Sequence, residues 1–313
     1  MAIILVTSCG KPDFDVGDEA GRQAIKDQAN LYLNYGQCRD AIDVIEPLYN
    51  SEHSDDETRL IRAGAHLCNA GVSNYWGFIS SLTGTSLCSG TDCTAIWTTP
   101  TELFTVGALT ASNKDELEIR RDSAYFAMDA LRAVLREGVF PEDNYETSPG
   151  SYNVGSTRIQ DRTDEANLYL VVASMAAVGA ENNLWGQTAA KEFDSTYRRR
   201  ADIGWNTAAK MDYNGCQYAA GVMNMLDSLV EFSSTLSIDV TTEAKTVLDT
   251  FCVTYCTTVC GIDAALCGNE CPAEIRYREN CLDTNVLECN AAAIINFINT
   301  DASYGWPCVA GGC

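Results

Sequence analysis

Hydrophobic residues recur at three- and four-residue spacing along most of this chain, which is the pattern of amphipathic α-helices. The first such stretch begins near residue 20, and its apolar positions are Ala24, Ile25, Ala29, Tyr32 and Leu33. Gly36 ends it, and two shorter amphipathic stretches follow over residues 38–49 and 55–70. Acidic residues at 55–57 suit the positive N-terminal end of a helix dipole, so a third helix is predicted to begin there.

The pattern remains helical in the later part of the chain. Residues 115–137 carry an apolar stripe on one face, and residues 163–178 are apolar on nearly every side, which predicts a central buried helix. Three more amphipathic stretches cover residues 218–236, 243–260 and 285–298. The last of them opens with Asn285 and Glu288, a pair that resembles a capping box. Alternating, strand-like runs are scarce, so we expect an all-α fold.

Small and aromatic residues stand at fixed intervals in the first predicted helices. Ala29, Tyr32, Gly36 and Ala41 form one set, and Ala63 lies 34 residues after Ala29. Over roughly residues 22–80 this spacing resembles the tetratricopeptide repeat, a helix pair of about 34 residues. The resemblance implies antiparallel helical hairpins stacked as a solenoid, because one pair cannot bury its apolar face alone.

The chain also departs from the pattern of that repeat. Ile25 stands in place of the family's leading tryptophan and His53 in place of its trailing proline. In the second unit His66 replaces the aromatic residue and Ala70 the glycine. Both a true repeat and an independent pair of helical hairpins therefore remain open. A further sign of repetition is that the sequence of residues 29–33 recurs unchanged at residues 166–170.

These patterns divide the chain into five segments. They are a truncated signal segment with a lipobox (1–9), a polar tether (10–19), a TPR-like helical region (20–138), a long loop (139–161), and a helical region whose C-terminal part is rich in cysteine (162–313). A loop as long as the fourth segment is, as a rule, functional or mobile. The predicted fold is all-α, with stacked antiparallel helical hairpins and a disulfide-rich C-terminal helical subdomain.

Cys9 follows Val6, Thr7 and Ser8, an order that resembles the site recognised by lipoprotein signal peptidase. The resemblance implies a lipid on Cys9 and a location in the bacterial cell envelope, periplasmic or surface-exposed. The apolar run before it is short and lacks a basic n-region, so we expect the true translation start to lie upstream. Gly10, rather than an aspartate, follows the lipid site, which favours the outer membrane. The alternative is a short buried strand with an incidental cysteine.

The chain contains 15 cysteines, and setting Cys9 aside leaves an even number for disulfides. So many thiols favour an oxidising compartment, because disulfides are rare in the cytosol. The candidates are Cys38, Cys68, Cys88, Cys93, Cys216, Cys252, Cys256, Cys260, Cys267, Cys271, Cys281, Cys289, Cys308 and Cys313. Spacing alone does not give the connectivity of most of them.

Two pairings are nevertheless indicated. Cys38 opens the second predicted helix and Cys68 lies near the end of the third, so antiparallel packing places both at the same end of the stack. We therefore expect a disulfide between them. Cys88 and Cys93 are close enough in sequence to close a small loop.

Three cysteines of the predicted 243–260 helix form one stripe, since Cys252, Cys256 and Cys260 recur every four residues. Residues so placed on one helix rarely satisfy disulfide geometry with each other, so each should pair with a neighbouring segment. Four thiolates also bind zinc, but the paired Cys-x-x-Cys spacing of such sites is absent. We expect disulfides, and neither a metal nor a cofactor.

Acidic residues outnumber basic ones by 43 to 21, which gives a formal net charge of −22. Such a chain is repelled by phosphate backbones, which excludes generic nucleic-acid binding. It is also repelled by anionic headgroups, so membrane attachment should depend on the lipid alone. The acidity favours either simple solubility or a basic partner.

Motifs for catalysis are missing from the sequence. His53 and His66 are its only histidines, and it contains no nucleophile elbow, phosphate loop or His-Glu-x-x-His. We expect a non-catalytic scaffold or adaptor that binds a protein or peptide in the envelope. Its candidate contact residues are Trp97, Tyr145 and Tyr152. Two alternatives are a structural subunit of a surface assembly, with cysteines partly intermolecular, and a glycan-binding protein or enzyme with the long loop as a lid.

Overall fold

The computed structural model describes residues 14–72, 99–100, 103–104, 111–135, 163–185, 213–236, 242–277 and 284–300, and within them all regular structure is helical. The α-helices are α1 (Glu19–Asn34), α2 (Cys38–Tyr49), α3 (Asp56–Asn69), α4 (Ala111–Leu135), α5 (Thr163–Trp185), α6 (Tyr213–Leu236), α7 (Thr242–Thr258), α8 (Ala264–Cys267) and α9 (Asn285–Thr300). A 3₁₀ turn covers Ala273–Arg276.

Short polar side chains fix where several helices begin. The carboxylate of Asp18 accepts a hydrogen bond from the Gly21 amide at the start of α1, and Asp55 accepts one from the Thr58 amide at the start of α3. At α9 the cap is Thr284, whose Oγ1 accepts from the Leu287 amide at 3.2 Å. The predicted capping box at Asn285 was therefore wrong by one residue.

Residues 14–18 are packed against the first three helices. Phe14 and Val16 contact a small core formed by Ile25, Ala29, Ile45, Leu48 and Ile61. The guanidinium of Arg22 donates hydrogen bonds to the carbonyl oxygens of Val16 and Gly17, both at 3.0 Å. The predicted polar tether over 10–19 was therefore wrong for this part, because two apolar side chains anchor it and Glu19 already belongs to α1. Residues 10–13 lie outside the described residues.

Successive helices pack antiparallel to one another, and alternate helices are parallel. Cys38 at the start of α2 is joined to Cys68 near the end of α3. Lys26 and Leu33 of α1 meet the start and the middle of α3, so α1 and α3 run in the same direction and contact each other. α3 also contacts α4 and α5. The predicted stack of antiparallel helical hairpins is thus confirmed.

The main core lies between α4, α5 and α6. Every side chain of α5 from Leu170 to Leu184 is buried, which confirms the prediction of a central buried helix. α6 was predicted to be amphipathic, but from Cys216 to Val230 only Asp227 and Val230 are not buried. The reason is that α6 contacts α5, α7, α9 and the 3₁₀ turn and so has neighbours on several sides.

Three disulfides attach the segments after α7 to that helix. Cys252 pairs with Cys271, Cys256 with Cys267, and Cys260 with Cys289. The Cys252–Cys271 bond encloses the Cys256–Cys267 bond in sequence, so the chain folds back antiparallel to α7. Cys260 lies two residues beyond the end of α7, in the turn that follows it, and its bond joins that turn to the start of α9. This is the arrangement expected from the cysteine stripe.

Cys216 is disulfide-bonded as well, so all nine cysteines within the described residues are oxidised. Six other cysteines, which are Cys9, Cys88, Cys93, Cys281, Cys308 and Cys313, lie outside those residues.

The Cys38–Cys68 disulfide closes a loop with a sequence separation of 30 residues. A cross-link of that length restricts the unfolded chain, so Cys38→Ala/Cys68→Ala should lower the free energy of unfolding by about 3–4 kcal/mol. Urea denaturation of the oxidised proteins measures this loss. Each single variant serves as a control and should lose about as much as the double variant, since either one removes the cross-link. Equal stability of all four proteins would contradict the prediction.

Candidate interaction surface

An ion cluster ties α1 to the start of α3. The ammonium group of Lys26, which is 8% exposed, lies 2.6 Å from Asp55 Oδ2 and 2.8 Å from Glu57 Oε2. Burial opposes its charge, but the hydrogen bonds and charges of both carboxylates outweigh burial and hold the pKa of Lys26 above its usual value. Burial likewise opposes the charge of Asp55, yet its bonds with Lys26 and Thr58 hold the pKa of its carboxyl below the ordinary range. Asp55 therefore both caps α3 and binds α1.

A second cluster is centred on Arg62, whose side chain is 1% exposed. Its Nε donates to Glu46 Oε2 at 3.0 Å and its Nη2 to Glu46 Oε1 at 3.3 Å, which is a bidentate pair across α2 and α3. Its Nη1 donates to the carbonyl oxygen of Phe126 on α4 at 3.2 Å. The guanidinium also lies 4.0 Å from the centroid of the Tyr49 ring. One side chain thus joins α2, α3 and α4.

Other buried charges also lie beside opposite charges. Arg59 and Asp56 are both buried and are 2.9 Å apart on α3. On α4, Arg121 lies 3.9 Å from the fully buried Glu181 of α5 and 2.8 Å from Asp122. Burial opposes the charge of Arg121, but these two carboxylates outweigh it and raise the pKa of the guanidinium. The arrangement holds α4 and α5 together.

The C-terminal part is attached to the stack by polar contacts. The carbonyl oxygen of Arg276 accepts hydrogen bonds from Arg132 of α4 and, at 2.9 Å, from Asn224 of α6. The guanidinium of Arg132 lies 4.4 Å from the ring centroid of Tyr277. Residues from α4 and α6 therefore fix the position of the 3₁₀ turn.

A neighbouring cluster forms around Lys245 of α7. Its ammonium group lies 2.7 Å from Asp249 and 3.9 Å from Asp227 of α6. Asp249 Oδ1 also accepts a hydrogen bond from the Cys271 amide at 3.0 Å. The disulfide-bonded segment is thus linked to α7 by hydrogen bonding as well as by sulfur.

His66 occupies a buried position on α3 against α4. Its ring lies 5.3 Å from the ring of Phe126, and neither ring nitrogen has a hydrogen-bond partner among the described residues. Burial, together with the positive charge of Arg62, holds the pKa of His66 well below its usual value. The imidazole is therefore neutral at physiological pH and packs as an uncharged ring against Phe126.

In the described part of the chain, the cysteines and the buried charged groups mainly connect helices to one another. Within it, no group of three or more His, Cys, Asp or Glu side chains is arranged to hold a metal ion. No helix there is long and apolar enough to cross a membrane. Of the buried charges described above, Lys26, Arg62 and Arg121 bind partners on other elements, whereas Arg59 and Asp56 pair within α3.

Large apolar side chains are exposed at a few positions. Leu31 is 45% exposed and Tyr35 is 73% exposed, and they stand one turn apart at the end of α1. The other described positions of this kind are Leu103, Ile119, Val259 and Leu266. The end of α1 is thus the candidate interaction surface.

The sequence predicted three contact residues, and none of them falls within the described residues. Trp97, Tyr145 and Tyr152 lie outside the described residues, as does the loop 139–161. Leu31 and Tyr35 were not predicted as contact residues from the sequence. The feature that could have identified them is their four-residue spacing on the side of α1 that faces away from the core residues Ile25 and Ala29.

No protein-family model matches this chain, no curated protein is significantly similar to it, and no solved structure has a significantly similar fold.

The buried imidazole of His66 predicts acid sensitivity. Its folded-state pKa lies below that of the unfolded chain, so below about pH 6.5 the unfolded state binds the additional proton. The free energy of unfolding should therefore fall with decreasing pH, by up to about 1.4 kcal/mol per pH unit from this group. His66→Phe keeps a ring in place and should remove that contribution.

Urea denaturation between pH 4.5 and 8 measures how the free energy of unfolding changes with pH. The matched control is His53→Phe, which removes the other imidazole of the chain from an exposed site. The His66→Phe protein should lose less stability toward acid than the His53→Phe protein. Parallel curves for the two variants would contradict the assignment.

Proposed function

We propose that this protein is a non-catalytic, lipid-anchored scaffold of the bacterial cell envelope that presents a helical surface to a protein or peptide partner. The observation that carries the proposal is a contrast within the described residues. Buried charges, such as those of Lys26 and Arg62, are engaged between helices, whereas the apolar Leu31 and Tyr35 are exposed. Groups available to a partner therefore lie on the surface of the stack.

Two observations support a location in the bacterial cell envelope. The nine disulfide-bonded cysteines of the described residues are typical of an oxidising compartment. The sequence before Cys9 has the order of a lipobox, and Gly10 favours the outer membrane. Several acyl chains on one cysteine hold a protein stably at a bilayer, and the acidic chain needs that lipid because anionic headgroups repel it.

Rigidity supports the role of a scaffold. The disulfides at α2–α3 and around α7, together with the buried ion pairs, restrict the relative movement of the helices. A preorganised surface binds a partner at a lower entropic cost than a surface that must first become ordered. The same features provide stability without requiring a reaction centre.

The alternative of a structural subunit requires cysteines that bond to other chains. Eight of the nine described cysteines form four bonds within this chain, which favours a self-contained scaffold. The glycan-binding alternative relied on the loop 139–161, which lies outside the described residues.

The test is to purify the protein from its own cells, in mild detergent and without reductant, for native mass spectrometry after alkylation. We expect a chain that carries lipid on Cys9 and no alkylated thiol at the nine described cysteines, in complex with a second polypeptide. The control is a parallel sample that is reduced before alkylation. A chain recovered from the cytosol without a partner, with Met1 intact and its thiols alkylated, would contradict the proposal.

A further inference from the structure

One row of α1 is exposed along its whole length. It consists of Glu19, Gln23, Asp27, Leu31 and Tyr35, which are spaced four residues apart and are all exposed. We call this row the α1 ridge. Rows of this spacing are the ridges that one helix inserts into the grooves of another.

A nearly identical sequence in α5 shows how such a row packs when neighbours are present. Residues 27–33 and 164–170 agree at six of seven positions. Ala29 and its counterpart Ala166 are both fully buried. Leu168, however, packs against the main core, whereas its counterpart Leu31 is 45% exposed.

The difference in exposure between the two segments is larger one helical turn further along the chain. Val172 of α5 is fully buried, and the corresponding Tyr35 is 73% exposed. α5 lies in the middle of the stack, with α4 and α6 beside it, whereas α1 is the first described helix. The two apolar residues of the α1 ridge are thus exposed at positions whose counterparts in α5 are packed, and such an exposed apolar pair suits the binding of a further helix.

Charge restricts what that helix can be. The first half of the α1 ridge carries Glu19 and Asp27, and the second half is apolar. The two basic residues of α1 are engaged elsewhere, since Lys26 is buried against α3 and Arg22 binds backbone carbonyl oxygens. Each four-residue step turns about 40° around a helix, so Asp27 is the acid beside the apolar pair, whereas Glu19 points away from it. A complementary helix would therefore have a basic residue opposite Asp27 and apolar residues opposite Leu31 and Tyr35.

A second copy of this chain does not meet the requirement. In a two-fold symmetric pair of antiparallel α1 helices whose axis passes through the middle of the α1 ridge, Asp27 would meet Asp27. The net charge of −22 adds repulsion between whole chains.

We infer that the α1 ridge binds an amphipathic helix of a partner protein whose contact face combines lysine or arginine with leucine-like or aromatic residues. This inference rests on the proposed scaffold function and specifies its partner. Cation–π contact with Tyr35 gives the partner's basic residues a second means of attachment.

The test uses a phage-displayed library of single-helix peptides in which every fourth position is randomised among basic, acidic, apolar and small residues. The full-length protein selects peptides, and fluorescence anisotropy measures their dissociation constants. Leu31→Ser/Tyr35→Ser removes the apolar half of the α1 ridge. Val259→Ser/Leu266→Ser is the matched control, since it removes two exposed apolar side chains elsewhere without changing charge. Thermal denaturation verifies that both variants are folded.

We expect the selected peptides to combine basic and apolar residues at four-residue spacing. Their binding should weaken at least tenfold for Leu31→Ser/Tyr35→Ser and change less than twofold for Val259→Ser/Leu266→Ser. Asp27→Lys should also weaken peptide binding, and added salt should reduce the difference in affinity between this variant and the wild type. Failure to select any peptide, selection of acidic peptides, or equal binding to all variants would overturn the inference.

Two further outcomes separate this inference from the proposed function. A native partner that binds the wild type and Leu31→Ser/Tyr35→Ser equally well would leave the scaffold in place and overturn the role of the α1 ridge. A wild-type dimer in sedimentation equilibrium that Leu31→Ser/Tyr35→Ser converts to a monomer would identify the occupant as a second copy and also overturn it.

Discussion

The guanidinium of Arg62 constrains the packing of three helices at once. It lies on α3, pairs with Glu46 of α2, and donates to a backbone carbonyl of α4. A buried charge is tolerated only when it is paired and hydrogen-bonded. A shift of α2 or α3 by one turn would separate the ion pair, and a shift of α4 would remove the carbonyl oxygen that the guanidinium binds. The contact therefore specifies one register for the first half of the stack, whatever its net contribution to stability.

Similar contacts recur along the stack. Lys26 fixes α1 against α3, Arg121 joins α4 to α5, and Arg132 holds the 3₁₀ turn. Each places a basic side chain between elements that are distant in sequence. In an acidic chain with few basic residues, these contacts engage several of the scarce cations inside the fold.

Local pattern was sufficient to predict much of this fold. Helical periodicity predicted the helical class and the central α5, and antiparallel packing of α2 and α3 predicted the disulfide between Cys38 and Cys68. The four-residue spacing of Cys252, Cys256 and Cys260 predicted that each would bond to a neighbouring segment. These features depend on residues close in sequence or on the geometry of one helix.

What the sequence did not predict depends on distant neighbours. His66 stands where the repeat requires an aromatic residue, and only the structure shows Phe126 of α4 against its ring. α6 is buried on several sides because α9 and the 3₁₀ turn pack on it, and neither is near in sequence. The exposure of Leu31 depends on which helices lie beside it, since the main contacts of α1 are with α2 and α3, whereas nearly the same segment in α5 lies between α4 and α6.

The role of Arg62 is tested most directly by native-state hydrogen exchange of the wild type and Arg62→Met. If one guanidinium holds α2, α3 and α4 in register, the amides of all three helices lose protection together, and those of the disulfide-bonded α7 keep theirs. Loss of protection confined to the turn of α3 around residue 62 would contradict a shared constraint on the three helices.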